Sequence, residues 1–309
     1  MRILISGGAG FIGSHVADAC LEAGHRVAVV DSLCKGRREH VSPAAAFHPL
    51  DLFSPELADV FTAMHPEVVC HHAAQVAVGY SLDHPEEDAT QNLLGSLRLL
   101  EHCRAAGVRK IIYASTVGVY GEPRSLPVAE DHPVDPLSPY AASKHAVEHY
   151  LRLYRTNWGL DYTVLRYANV YGPRQDPHGE AGVVAIFARR LLAGESTVIN
   201  GTGEQTRDFV YVGDVVRGNL LALEHGSGEI LNLGTGVETS INALHTLLAG
   251  LVDPAAVPIH APAKEGEIFR IRLDCRRAEA SLGWRPTVPL AEGLRRTVEF
   301  FRRHADGQG

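Results

Sequence analysis

An alternation runs through the first half of this chain and limits what it can fold into. Short apolar runs rich in β-branched residues, RILIS (2–6), RVAVVD (26–31), EVVCH (67–71), RKIIYAS (109–115) and YTVLRY (162–167), are separated by longer stretches of helical pattern. A strand apolar on both faces is buried on both, and a helix between successive strands supplies the crossover that parallel pairing requires. The rhythm predicts an α/β fold with a doubly wound parallel sheet covered by helices on each side. Right-handed crossovers then gather the C-terminal ends of the strands on one edge, where such sheets bind ligands.

After residue 168 the rhythm breaks into a Gly/Pro-rich loop, NVYGPRQDPHGEAG, followed by a helix expected over about 182–193. At 309 residues the chain is longer than one core usually grows. The expectation is therefore a first domain over 1–167 and a smaller C-terminal α/β domain over 168–309. The run RDFVYVGDVVRGNLLALEHG has strand-then-helix character, so a segment of about 207–235 can return to the first domain.

Composition narrows the function classes. No stretch approaches the ~18 apolar residues of a membrane span, and the N-terminus lacks the charged and apolar regions of a signal peptide, so the expected location is the cytoplasm. The five cysteines are scattered and never form CxxC, which reads as reduced, mostly buried thiols. Net charge is -7, and the local basic cluster Lys35, Arg37 and Arg38 is too small to grip a duplex backbone, so nucleic acid is not an expected partner. The seventeen histidines include CHH at 70–72 but no HExxH, so no metal site is expected.

The turn after the first strand, ISGGAGFIGSH, satisfies GxGxxG through Gly8, Gly10 and Gly13, and the looser GxxGxxG through Gly7, Gly10 and Gly13. It sits where such a motif acquires meaning, between a strand and a helix, where backbone amides and the helix N-terminus can meet a pyrophosphate. Asp31 closes the second strand. A carboxylate there accepts from ribose hydroxyls and repels a 2′-phosphate, favouring NAD over NADP, against which the neighbouring basic trio is the counterweight. The first domain is thus expected to be a Rossmann-type NAD-binding domain.

SPYAASKHAVEHY (138–150) opens a helix just after a proline and places Tyr140 and Lys144 four residues apart, on one face. An ordinary surface helix also carries such pairs. Half-ionisation of a free tyrosine at pH 7 needs about 4 kcal/mol, and one cation about 5 Å away supplies roughly 3 kcal/mol at an effective dielectric of about 20. The oxidised nicotinamide would make up the difference, so a tyrosinate base is chemically reasonable. A third element sets the pair apart: Ser115 and Thr116 stand at the C-terminal end of a strand, where a hydroxyl can bond the oxygen that Tyr140 deprotonates.

With these parts in place the chain resembles the extended short-chain dehydrogenase/reductases, and within them the UDP-glucose (UDP-galactose) 4-epimerases. The resemblance runs from GGAGFIGSH through YxxxK to LGWRPTVPLAEGL, and is most specific in LRYANVYGPRQDPHGEAGVVAIFARRLLAGE and GTGEQTRDFVYVGDVV. It implies a catalytic group of Thr116, Tyr140 and Lys144 and a tightly held, recycled NAD. Gly7, Gly10, Phe11, Ile12 and Gly13 would meet the pyrophosphate; Asp31, Ser32 and Lys35 the adenosine ribose; Asp51 and Leu52 the adenine. Ala73, Ala74, Gln75, Asn92, Ala114 and Tyr167 would line the rest of the cofactor cleft. For the UDP-sugar, Asn169, Arg207 and Lys264 would hold the diphosphate, and Gly182, Val183, Val198 and Asn200 the uridine and neighbouring groups. A homodimer built on helices QNLLGSLRLLEHCRAAG and YAASKHAVEHYLRLYRTN is implied as well.

Within that family, dehydratases follow the catalytic Thr with Asp-Glu, whereas Thr116 is followed by Val117 and Gly118, which move no proton. Decarboxylating relatives carry a Glu that is also missing. Asn169 stands where UDP-glucuronate epimerases show Thr, which leans the reading toward neutral hexoses. Phe269 replaces an Arg of many relatives, shifting the diphosphate grip toward Arg270 or Lys264. Ile271 stands where relatives use Tyr to exclude N-acetyl sugars or a small residue to admit them, and sides with neither. The expected activity is 4-epimerisation of a UDP-hexose through a 4-keto intermediate. The alternatives are epimerisation of an N-acetylhexosamine or glucuronate, a net dehydratase or reductase, and a silent NAD-binding scaffold.

Overall fold

The computed structural model describes residues 1–178, 182–263 and 268–305. In chain order its strands are β1 (Arg2–Ser6), β2 (Arg26–Val30), β3 (Ala46–His48), β4 (Val68–His71), β5 (Lys110–Thr116), β6 (Asp161–Tyr167), β7 (Asn169–Tyr171), β8 (Val198–Asn200), β9 (Thr206–Arg207), β10 (Phe209–Tyr211), β11 (Glu229–Leu233), β12 (Thr239–Ser240) and β13 (Ile259–Ala261). Seven of them form one sheet in the order β3-β2-β1-β4-β5-β6-β11, with every neighbouring pair parallel. The order reverses between β1 and β4, the switch point where doubly wound sheets open a crevice.

The five apolar runs are all strands of this sheet, and they bury both faces by simple alternation. Ile3, Ile5, Val27, Val29, Val68 and Ile112 join one apolar cluster with Val16 and Cys20 of helix Phe11–Glu22 and Val215 of helix Val212–Ala222. Leu4, Ala28, Val30, Val69 and Ile111 point the other way, toward Leu57, Phe61, Leu99, Leu100, Val147 and Leu151. Two strands lay outside the apolar runs. β3 is only AFH, too short for a pattern, and β11 reads EILNL, where buried Asn232 interrupts the apolar face and instead accepts from the Tyr120 hydroxyl at 2.8 Å. Pairing of β11 with β6 returns the chain to the large sheet.

The remaining residues build short pairs, β7–β10, β9–β12 and β8–β13, beside a third core of Phe187, Ile199, Leu244, Leu248, Leu294 and Val298. The helix expected over 182–193 spans Val183–Leu192.

Local chemistry fixes the helix that carries Tyr140. Ser138 accepts from the Ala141 amide, Pro139 takes the first turn, and Gly159 ends the helix Pro139–Trp158 in the left-handed region at φ 72°. A second helical stretch, 85–105, starts earlier than its apolar pattern and contains a π-helical turn at Thr90–Leu94. Such turns rotate the helix face locally and recur at functional positions.

Candidate active site

The glycine turn is packed backbone on backbone, too tightly for side chains at Gly7 and Gly13. Gly7 is left-handed (φ +73°), and a Cβ on it would come within 2.5 Å of the Ala73 amide; one on Gly13 would meet the Gly7 carbonyl at 2.3 Å. The Ser14 amide donates to the Gly10 carbonyl at 3.1 Å, so the helix begins directly on the turn, and its first amides have no intrahelical acceptors. Asp31, just past β2 and 8% exposed, accepts from the Ala9 amide at 2.9 Å and the Leu33 amide at 2.8 Å. The carboxylate thus ties the cradle to β2 and uses about two of its four acceptor sites doing so. Ser32 and Lys35 are exposed beside it, as is Asp51, while Leu52 is buried in the core under that rim.

Next to Ala73 and Ala74, a buried polar network centres on a residue that sequence reading passed over. Asp88, fully buried, accepts from Gln75 Nε2 at 2.9 Å, Asn92 Nδ2 at 3.0 Å and Ser143 Oγ at 2.7 Å. Asn92, in the π-helical turn, also accepts from the Gln75 amide at 2.8 Å. The signal for Asp88 was its place four residues before Asn92 in a helix, visible only once that helix is known to start at Pro85. His71 continues the network between Ser6 (2.7 Å) and Ser96 (2.8 Å), and burial keeps its imidazole well below the usual pKa. Among the described residues no group of three or more His, Cys, Asp or Glu is placed to hold a metal ion.

Thr116, Tyr140 and Lys144 come together at the C-terminal end of β5. Thr116 faces the phenol of Tyr140, and its hydroxyl accepts from the Gly118 amide at 3.1 Å. Ser115, the other hydroxyl considered there, points away and donates to Glu148 at 2.6 Å. Lys144, 3% exposed, donates to the Ala114 carbonyl at 2.8 Å and lies over the Tyr113 ring at 4.8 Å. Burial pushes Tyr140 up to about 12 against the pull of Thr116, with Asp88 adding to the rise. Burial likewise pushes Lys144 down to about 8, opposed by Asp88 and Glu148. In the protein without its cofactor desolvation dominates the phenol, and the ammonium is anchored on the Ala114 carbonyl.

Asn169, its amide bonded to the Asp208 carbonyl at 2.9 Å, adjoins Gln175, Val183 and Phe209 around a small cavity, and Gly182 caps the helix behind it. Val198 and Asn200 lie on β8, and Arg207 on β9 donates to the Thr206 carbonyl at 2.8 Å. Beside it, the Asp208 carboxylate is a structural hub that accepts from Thr235, Gly236 and Leu273. Arg270 makes a bidentate pair with Glu238 at 2.8 Å for each bond, and Phe269 is exposed. Ile271 is 1% exposed inside the core, and Tyr167 is buried with its hydroxyl on Asn219. Lys264 lies outside the described residues.

The sequence profile of the NAD dependent epimerase/dehydratase family matches residues 3–234. Over 98% of its length the chain is 49% identical to the UDP-glucose 4-epimerase of Mycolicibacterium smegmatis, of which it covers 99%. It superposes with a TM-score of 0.97 on the crystal structure of UDP-glucose 4-epimerase with UDP-glucose from Thermotoga maritima, at 47% identity over 99% of this chain and 100% of that one. On the Thermus thermophilus UDP-glucose 4-epimerase in complex with NAD the TM-score is 0.93, at 45% identity over 98% and 99% of the two chains.

Proposed function

Because the chain belongs to the NAD dependent epimerase/dehydratase family, we propose that it is an isomerase that interconverts UDP-glucose and UDP-galactose by inverting C4 of the hexose. The observation that carries the reading is the meeting of Thr116, Tyr140 and Lys144 at the strand edge beside a glycine cradle.

That turn fits NAD: backbone packs on backbone at Gly7 and Gly13 with no room for a Cβ, which keeps the turn tight against the helix start, and Asp31 retains acceptor capacity. Gly10, Phe11 and Ile12 would add amides toward the pyrophosphate, with Ser32, Lys35, Asp51 and Leu52 around the adenosine. Ala73, Ala74, Gln75, Asn92, Ala114 and Tyr167 would close the cleft. When bound, NAD supplies the redox chemistry at C4, taking up and returning its hydrogen.

Tyr140 is the group that takes the 4-hydroxyl proton and returns it to the 4-keto sugar. A phenol at about 12 needs about 7 kcal/mol to ionise at pH 7, so it acts as a base only when positive charge gathers beside it. Lys144, fixed on the Ala114 carbonyl, keeps a cation on the same helix face, and Thr116 orients the sugar hydroxyl. Val117 and Gly118 offer neither acid nor base, so elimination of water has no support. Asn169, Gly182, Val183, Val198, Asn200, Arg207 and Lys264 would hold the nucleotide diphosphate, with Ile271 behind the hexose. Binding energy then rests on the part that does not react, leaving the sugar free to turn.

The same reading makes the enzyme a cytoplasmic homodimer. The described cysteines are unpaired thiols, as reducing compartments leave them. Leu94, Tyr150, Leu153 and Trp158 are exposed apolar side chains on the stretches 85–105 and 139–158, a surface that pairing of two copies would cover. Among the described residues no helix is long and apolar enough to cross a membrane.

The test is to incubate the purified protein with UDP-galactose and no added NAD, following UDP-glucose by chromatography and NADH by absorbance. Product without net NADH supports a retained, recycled cofactor. No product even with NAD supplied would overturn the assignment to neutral UDP-hexoses.

A further inference from the structure

Directly after Lys144, and again one turn further on, helix Pro139–Trp158 carries His145 and His149, which the reaction does not use. Their Nε2 atoms lie 3.1 Å apart, and their ring centroids 4.6 Å apart at 71°. Two imidazoles sharing a straight N–H···N bond would hold their centroids farther apart than this, so the ring axes are bent at their meeting point. Residues four apart on a helix share a face, which is why both rings reach the same place.

From this geometry we propose that His145 and His149 form a two-imidazole site for a divalent transition-metal ion. With metal–nitrogen bonds of about 2.1 Å, nitrogens 3.1 Å apart subtend an angle of about 95° at the ion, within the range of distorted tetrahedral or octahedral coordination. The outer shell is already built. His145 Nδ1 lies 3.0 Å from Glu148 Oε2, and the Glu148 carboxylate is itself fixed by Arg166 and Ser115. A carboxylate on the far nitrogen sets the tautomer, leaving Nε2 as the ligating atom. On the single chain His149 is exposed, so water can complete the coordination sphere. Imidazole pairs favour Zn²⁺, Ni²⁺ and Cu²⁺ over Mg²⁺ or Ca²⁺.

The test is calorimetric titration of EDTA-treated, full-length protein with ZnCl₂ at pH 7.5, in parallel with MgCl₂. Saturable Zn²⁺ binding with one ion per chain is expected, with no Mg²⁺ binding. His149→Ala, an exposed substitution, should weaken Zn²⁺ binding by at least about tenfold without changing the melting temperature of the metal-free protein. With Cu²⁺ as probe, the paramagnetic resonance spectrum should show nitrogen coupling that His149→Ala reduces. Absence of saturable Zn²⁺ binding, or binding unaltered in His149→Ala, would overturn the proposal and leave the pair as a simple hydrogen bond.

Discussion

Ser115 donates its hydroxyl proton to Glu148 across 2.6 Å, while the next residue of the strand, Thr116, turns to the opposite side and faces Tyr140. The strand's two-residue period thus splits adjacent hydroxyls between a structural and a chemical task. Glu148 is the structural end. Burial opposes its ionisation, but hydrogen bonds from Arg166 and His145 prevail and hold its carboxyl down to about 2. Arg166 grips it through Nε at 3.0 Å and Nη2 at 2.5 Å, and is 2% exposed. Glu148→Gln should therefore cost about 3–5 kcal/mol in urea unfolding, because it strands a buried guanidinium. A loss below about 1 kcal/mol would contradict the burial of that pair.

Lys144 sets a pH dependence of stability whose sign follows from its depressed pKa. It falls from 10.5 unfolded to about 8 folded, so between those values the unfolded chain binds more protons and stability rises with pH. Below pH 8 the buried ammonium costs roughly 3 kcal/mol. Wild type should gain on Lys144→Met by up to that amount from pH 8 to 10.5. Tyr140 acts oppositely, since its raised pKa contributes stability below pH 10 that is lost toward pH 12. Denaturant unfolding of both proteins at several pH values measures this; a pH-independent difference would rule it out.

Tyr140→Phe keeps the ring and removes the proton carrier. Epimerisation should fall by about 10²–10⁴-fold, the usual share of a positioned acid or base, with melting temperature and retained NAD nearly unchanged. Turnover with UDP-galactose, set beside the absorbance of released cofactor, checks both halves. Activity within tenfold of wild type would exclude Tyr140 as the proton carrier.

Gly13→Ala tests the cradle. Its Cβ would press on the Gly7 carbonyl at 2.3 Å, and backbone there cannot swing aside as a side chain would. The variant should purify without bound NAD and melt at a lower temperature. Retention of a full complement of NAD, measured after acid denaturation, would show that the turn yields.

Asp88→Asn keeps an oxygen that can accept from Gln75 and Asn92, while its NH₂ meets the Ser143 hydroxyl, which must then turn from donor to acceptor. The charge-assisted bonds are weakened, so a destabilisation of about 1–3 kcal/mol is expected, together with weaker NAD retention through displaced Gln75 and Asn92. Unchanged unfolding midpoints would mean that the network rearranges freely.

The sequence by itself determined the sheet strands whose apolar residues fill both faces, the glycine turn, Asp31, and the Tyr140/Lys144 pair. These are periodic or local signals, set by pleat, helical turn and steric demand over a few residues. Only the tertiary structure decided that Asp88 lies among Gln75, Asn92 and Ser143, and that Ser115 and Thr116 divide their roles. It also decided that Asp208 serves Thr235, Gly236 and Leu273, and that Lys144 rests on the Ala114 carbonyl. Hydrogen-bond partners and desolvation come from residues tens of positions away, and they fix where protons sit. Composition and spacing cannot carry that information, because a buried charge is shaped by everything packed around it.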